Sequence, residues 1–230
     1  MVRPCSGVAR LLLKGGFKRG SPCFVAFSCG KEAEVAGERG IECPTRSGFT
    51  VVEEQNGIPE LGESGGAVAL FGSDLTPVDR VAFGEAVRMM TLSREELLRV
   101  VGRLTEADLD AEPIPGKRTV RQDISHIVNA EEWYVSRLGR RYQGVYEGGL
   151  REVIERRRLS AVERLRITRP AMIAALEAVL EEGRQGPFKR RAYTNYPDEL
   201  WTLRKVLRRF LEHEREHLGT MSVVLNAMGK

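Results

Sequence analysis

The sequence predicts a mainly α protein, a four-helix bundle preceded by a small strand-containing extension. Two observations carry that expectation. From Pro77 onward, four long segments repeat apolar residues at helical period with breakers between them, whereas residues 1–76 are rich in glycine and in short apolar runs. A length of 230 residues suits one sizeable domain with an appendage. The chain is therefore divided into an extension and linker over 1–76 and a bundle over 77–230.

In the extension, 9–13, 23–27 and 49–54 are the strand candidates. The last is the clearest, with Phe49, Val51 and Glu53 alternating with Thr50, Val52 and Glu54. Gly62, Gly65, Gly66 and Gly72, followed by Thr76 and Pro77, mark a linker. The four cysteines, Cys5, Cys23, Cys29 and Cys43, share no CxxC spacing, and no histidine lies in this half. Packing or incidental thiols are expected there, not a zinc ribbon or a catalytic thiol.

The first helix is expected over 78–104, with a break near 91–93 where Ser93 and Glu96 form a capping-box pattern. Residues 105–116 read as a loop through Pro113 and Pro115. The second helix starts after Thr119, with Gln122 completing a capping box, and ends before Gly139. Residues 142–149 read as a connection across an end of the bundle. The third helix is expected over 152–182, kinked or divided at Pro170 and ended by Gly183. A loop over 185–198 holds Tyr193 and Tyr196, and Asp198 reads as the N-cap of the last helix, which runs to Met228.

Composition excludes several classes of function. Hydrophobic content of 42% and charged content of 30% are those of a globular protein. No apolar run approaches the roughly 20 residues of a membrane helix. Leu11, Leu12 and Leu13 are cut off by Lys14, too short a run for a signal-peptide core, so a cytoplasmic location is expected. The net charge of +4 comes from basic residues mixed with acids, as in Arg151, Glu152, Glu155, Arg156, Arg157 and Arg158. Such faces are solvated and pair internally. Neither a membrane nor a nucleic acid is expected as a partner.

The chemistry lies in His213-Glu214-Arg215-Glu216-His217. At about 100° per residue, His213 and His217 fall on the side of Leu203, Val206, Leu207, Phe210, Met221, Val224, Leu225 and Met228. Two imidazoles inside an apolar stripe need a partner, and a divalent metal is the simplest one. His126, the third histidine of three, flanks the apolar stripe of the second helix beside Ala130 and Trp133. Three neutral imidazoles from two helices can hold a divalent ion and leave positions open for water or substrate. The string also satisfies HExxH and HxxEH. A peptidase reading fails, because 218–230 contains no Asp, Glu or His, and Thr220 and Val223 stand where a metzincin has glycine and histidine.

The run from Thr119 to Ile127 with Glu131, Glu132, Trp133 and Tyr134, and the run from Trp201 to Phe210 leading into the HEREH stretch, resemble the DinB-like metalloprotein superfamily, which includes the relatives of YfiT. The resemblance covers residues 78–230 and leaves the first 75 or so outside it. It implies an up-down-down-up four-helix bundle with one metal-binding histidine on the second helix and an HxxxH pair on the fourth. By position these are His126, His213 and His217. It further implies zinc, nickel or another divalent ion, a small-molecule substrate, and a homodimer formed through the bundle exterior. The implied reaction is thiol S-transfer or small-electrophile detoxification with a low-molecular-weight thiol as co-substrate. Metal-dependent hydrolysis and a non-enzymatic binding or stress-response module are the alternatives. Glu214 also falls on the apolar side and is the candidate catalytic residue, as acid/base or as support beside the metal. Its other reading is an ion pair with an arginine such as Arg121, Arg204 or Arg208.

Overall fold

A computed structural model of the chain describes residues 7–14, 25–28, 49–58, 70–156 and 159–230. Three strands, β1 (Gly7–Lys14), β2 (Val25–Ser28) and β3 (Phe49–Ile58), pair antiparallel in the order β2-β1-β3. All three expected strands form, and β3 extends beyond the expected end at residue 54. The cysteines and the glycines at 62, 65 and 66 lie outside the described residues.

Among the described residues six α-helices follow: α1 (Arg80–Val101), α2 (Glu106–Asp110), α3 (Val120–Leu138), α4 (Arg140–Arg156), α5 (Ala161–Glu182) and α6 (Leu203–Ala227). Side chains fix where five of them begin. Asp79, Thr105, Thr119, Ser160 and Thr202 each accept a hydrogen bond from a first-turn backbone N–H. The expected capping box of Thr119 and Gln122 is present, and Gly183 ends α5 at φ 72.

Five expectations need correction. α1 runs unbroken through 91–93, because Ser93 is buried among Met90, Arg94 and Leu97 and does not start a new helix. Thr105 and Asp108 close a capping box within the expected loop and so create α2. Residues 142–149 lie inside α4, where Tyr142, Tyr146 and Leu150 are buried at i, i+4 and i+8. Leu200–Trp201 form a strand, β5, paired with β4 (Phe188–Lys189), so Thr202 and not Asp198 caps α6. α5 itself begins at Ala161 and passes through Pro170 in one piece.

Two apolar clusters give the direction of each bundle helix. One gathers Phe83 and Met90 from early α1, Tyr134 and Leu138 from the end of α3, Leu176 and Val179 from late α5, and Leu203 and Phe210 from early α6. The other gathers Leu97 and Val101 from late α1, Val120 and Ile127 from early α3, Leu165 from early α5, and Met221 and Leu225 from late α6. α1 and α6 therefore run one way while α3 and α5 run the other, an up-down-down-up four-helix bundle. Because α3 and α5 are parallel, the chain must return along the bundle between them. α4 makes that return, and its Tyr142, Tyr146 and Leu150 pack into the first cluster.

Lys205 gives a test of this packing. It is fully buried, its Nζ donates to Leu200 O at 3.0 Å and lies 4.2 Å from the Trp201 ring. Burial, followed by the neighbouring Arg208, lowers its pKa from 10.5 to about 7. Charging Lys205 is thus harder in the folded chain than in the unfolded one. Its cost is absent above pH 10.5, grows as pH falls from 10.5 to about 7, and is complete below that. Lys205→Met is expected to raise stability by about 1–2 kcal/mol near pH 6, a gain of a few degrees in Tm. Thermal melts should show the gain shrinking toward pH 10; a gain independent of pH would contradict the assignment.

Candidate metal centre

The cap at Thr119 sets the phase of α3, and Asp123, His126, Ala130 and Trp133 follow at helical spacing along one face. On α6 the same periodicity aligns Phe210, His213 and His217. Where these faces meet, His213 Nε2 lies 3.1 Å from His126 Nε2 and 3.2 Å from His217 Nε2. The three nitrogen positions lie within 4.8 Å of one another. His213 and His217 are buried and His126 is half-buried. The structure thus brings together all three histidines singled out in the sequence.

The chemistry of these nitrogens fits a cation. His217 Nδ1 lies 3.0 Å from Oδ1 of the fully buried Asp123. An Nδ1–H donating there leaves the Nε2 lone pair of His217 facing its neighbours. His213 Nε2 touches two other ring nitrogens, and a single nitrogen carries either one proton or one lone pair. N–H···N bonds alone therefore serve the cluster poorly. Ligands about 2.0–2.1 Å from a tetrahedral ion stand roughly 3.3–3.4 Å apart, close to the 3.1 and 3.2 Å that separate His213 Nε2 from the other two. Burial, then the nearby His217, Arg209, His126 and Arg118, push the His213 pKa well below 6.5, so its ring is neutral near pH 7.

A cleft of about 640 Å³ opens beside His126 and His213, walled by Trp133, Tyr134, Tyr193, Asn195 and Glu199 among others. Its outer wall, the loop between β4 and β5, is fastened to α3. Trp133 Nε1 donates to Tyr193 O at 2.7 Å, and Arg137 donates to Arg190 O at 3.2 Å and to Ala192 O at 2.7 Å. Tyr193 is held in the left-handed region at φ 57 and is 80% exposed, a backbone strain that the surrounding bonds sustain.

Glu214 lies in a buried ion-pair cluster and is not among the residues lining the cleft. Each bundle helix contributes one member: Arg94 from α1, Glu131 from α3, Arg169 from α5 and Glu214 from α6. Arg94 reaches Glu131 Oε1 at 2.5 Å and Glu214 Oε2 at 2.7 Å; Arg169 reaches the same two oxygens at 2.8 and 2.6 Å. Each guanidinium also donates to a backbone carbonyl, Leu165 O for Arg94 and Met90 O for Arg169. Burial pushes the Glu131 carboxyl up, but the two arginines outweigh it and hold its pKa below 4.5. The arginines on Glu214 are therefore not the three named from the sequence. Arg121 pairs with Glu106 and Asp110, Arg208 pairs with Asp74 and Glu212, and Arg204 donates to Thr76 O and Pro77 O.

A sequence profile of the DinB superfamily matches residues 89–221. The chain belongs to the DinB superfamily. The matched DinB segment contains His126, His213 and His217, Asp123, and all four members of the ion-pair cluster. Among solved structures the chain is similar to YfiT from Bacillus subtilis, described as a probable metal-dependent hydrolase with an unusual four-helix bundle topology. The two share 17% sequence identity, with a TM-score of 0.45 over 66% of this chain and 91% of the other. None of the curated proteins matches the chain in sequence.

Three features of this DinB site were missed in the sequence. Asp123 stands three residues before His126 and beside the apolar Ile124, so an acid on an inward face was the available signal. Glu199 sits in a loop, where periodicity gives no orientation. Arg94 and Arg169 have no local pattern that separates them from the surface arginines of the same helices.

Proposed function

We infer that the chain is a divalent-metal-dependent enzyme acting on a small molecule held in the cleft beside His126 and His213. The observation that carries this reading is the meeting of three Nε2 atoms from two helices at the wall of that cleft. His126, His213 and His217 would hold the ion, with zinc or nickel suited to an all-imidazole set. Bound there, the ion supplies positive charge and open positions that lower the pKa of a thiol or of water.

The chain's own residues prepare the site. Asp123 holds the tautomer and orientation of His217. Tyr134 packs edge-on against the His213 ring, with centroids 5.8 Å apart. Glu214 enters as an anchor of α6 through Arg94 and Arg169, which fixes the helix bearing two of the three histidines. The reaction placed first is transfer involving a low-molecular-weight thiol, including removal of small electrophiles; hydrolysis is the second reading. The same proposal has the chain working in the cytoplasm as a homodimer, for which light scattering should give twice the chain mass, and a monomer throughout would count against it.

The test compares metal-loaded, chelator-treated and His213→Ala protein on a panel of electrophiles with and without thiol, and on esters and amides without it. Thiol transfer requires both metal and thiol for turnover. Turnover that survives the chelator and His213→Ala contradicts the reading. A narrower prediction concerns Asp123: Asp123→Ala is expected to weaken divalent-ion affinity by about 10–100-fold. Competition against a chelating dye measures it, and unchanged affinity would remove Asp123 from the site.

A further inference from the structure

The cleft wall carries a charge that the metal reading does not use. Among the described residues lining the cleft, Glu199 is the one acid, and none is Lys or Arg although the chain has 36 of them. Glu199 is 8% exposed. Its Oε1 accepts from Thr194 Oγ1 at 3.1 Å, while its Oε2 is buried and accepts no hydrogen bond among the described residues. Burial lowers the pKa of Arg137 and of Lys205, and the charge of Glu199 acts to raise each, but the hydrogen bonds they make go to other groups. Arg137 donates to Ser136 Oγ, Arg190 O and Ala192 O, and Lys205 donates to Leu200 O. Four aromatic residues, Trp133, Tyr134, Tyr193 and Tyr196, line the same cleft.

A cleft whose one acid among the described lining residues keeps an acceptor oxygen without a donor, and whose lining is rich in aromatic side chains, suits a ligand that brings both an N–H donor and positive charge. A carboxylate bonds such a group by charge-assisted hydrogen bonds, and aromatic faces attract the cation while covering the carbon skeleton it is attached to. We propose that the cleft takes a small molecule bearing a protonated amine or amidine, with Glu199 as the acceptor that positions it. This rests on the reading of the cleft as the substrate site, and the triad would then face another part of the same molecule.

The experiment measures binding of benzamidine and of benzamide, two probes of one shape, to the full chain freed of metal by chelator, using calorimetry. Benzamidinium is charged and benzamide is neutral, so their difference reports the acid. Benzamidine is expected to bind at least tenfold more tightly than benzamide, and Glu199→Gln to bring the two within about twofold. Equal binding of the two probes to the unmutated chain would overturn the proposal without reference to any variant. A tenfold gap that persists in folded Glu199→Gln would overturn it as well. With metal removed from every sample, these outcomes are independent of whether the triad binds an ion, so failure here and failure of the metal reading are separately visible.

Discussion

Glu131→Ala is expected to lower the stability of the folded chain by about 3–5 kcal/mol, a fall in Tm of roughly 6–20 °C for a chain of this size. Glu131 Oε1 receives both Arg94 and Arg169, and all four members of the cluster are at most 6% exposed. Removing the carboxylate leaves two buried guanidinium groups facing a single acid, Glu214, and uncompensated buried charge costs far more than the loss of one surface pair. Glu131→Gln retains the shape and separates charge from volume, so it should recover only part of the loss. The sign with pH follows from the lowered pKa of Glu131: its contribution is complete above the unfolded carboxylate range and is lost as pH falls through the still lower folded value. Acid melts of the two variants should therefore approach the parent only as pH falls through that lowered value. A loss under about 1 kcal/mol in Glu131→Ala would mean that the cluster is not the lock its geometry describes.

Saturating zinc is expected to raise Tm by roughly 8–16 °C, because a ligand held at a thousandfold above its Kd adds about 4 kcal/mol to the folded state. The triad draws on α3 and α6, so an ion bridging it ties together helices joined only through α4 and α5 in sequence. His213 is the informative position, since its Nε2 is the one that touches both other histidines. In His213→Ala the zinc-dependent rise should vanish. A rise that persists in this variant would place the ion elsewhere.

The sequence made α3 readable because cap, stripe and terminal glycine coincide: Thr119 with Gln122, Ile124 with Ile127, then Gly139. The metal triad was readable for a similar reason, since a chain with three histidines that puts two at i and i+4 on an apolar face leaves few alternatives. α4 was hidden. Its Gly144, Gly148 and Gly149 cost about 1 kcal/mol each in an isolated helix, whereas burying Tyr142, Tyr146 and Leu150 returns about 1.5–3 kcal/mol apiece. Tertiary packing decides that contest, and Gly149 takes part in it. A Cβ at Gly149 would stand 3.2 Å from Ala171 Cβ, so the missing side chain lets α4 close on α5. The ion-pair cluster was hidden by composition. In a chain with 30% charged residues, nothing local marks Arg94 or Arg169 as inward, and only the meeting of four helices does so.

Metal analysis of the full chain, purified without a nickel column and dialysed before measurement, bears most directly on the central claim. One divalent ion per chain, or uptake of one when zinc or nickel is added, is the expected result, with none held by His213→Ala. A folded chain that holds no stoichiometric ion and takes up none would contradict the account, leaving His126, His213 and His217 as a polar cluster without a metal.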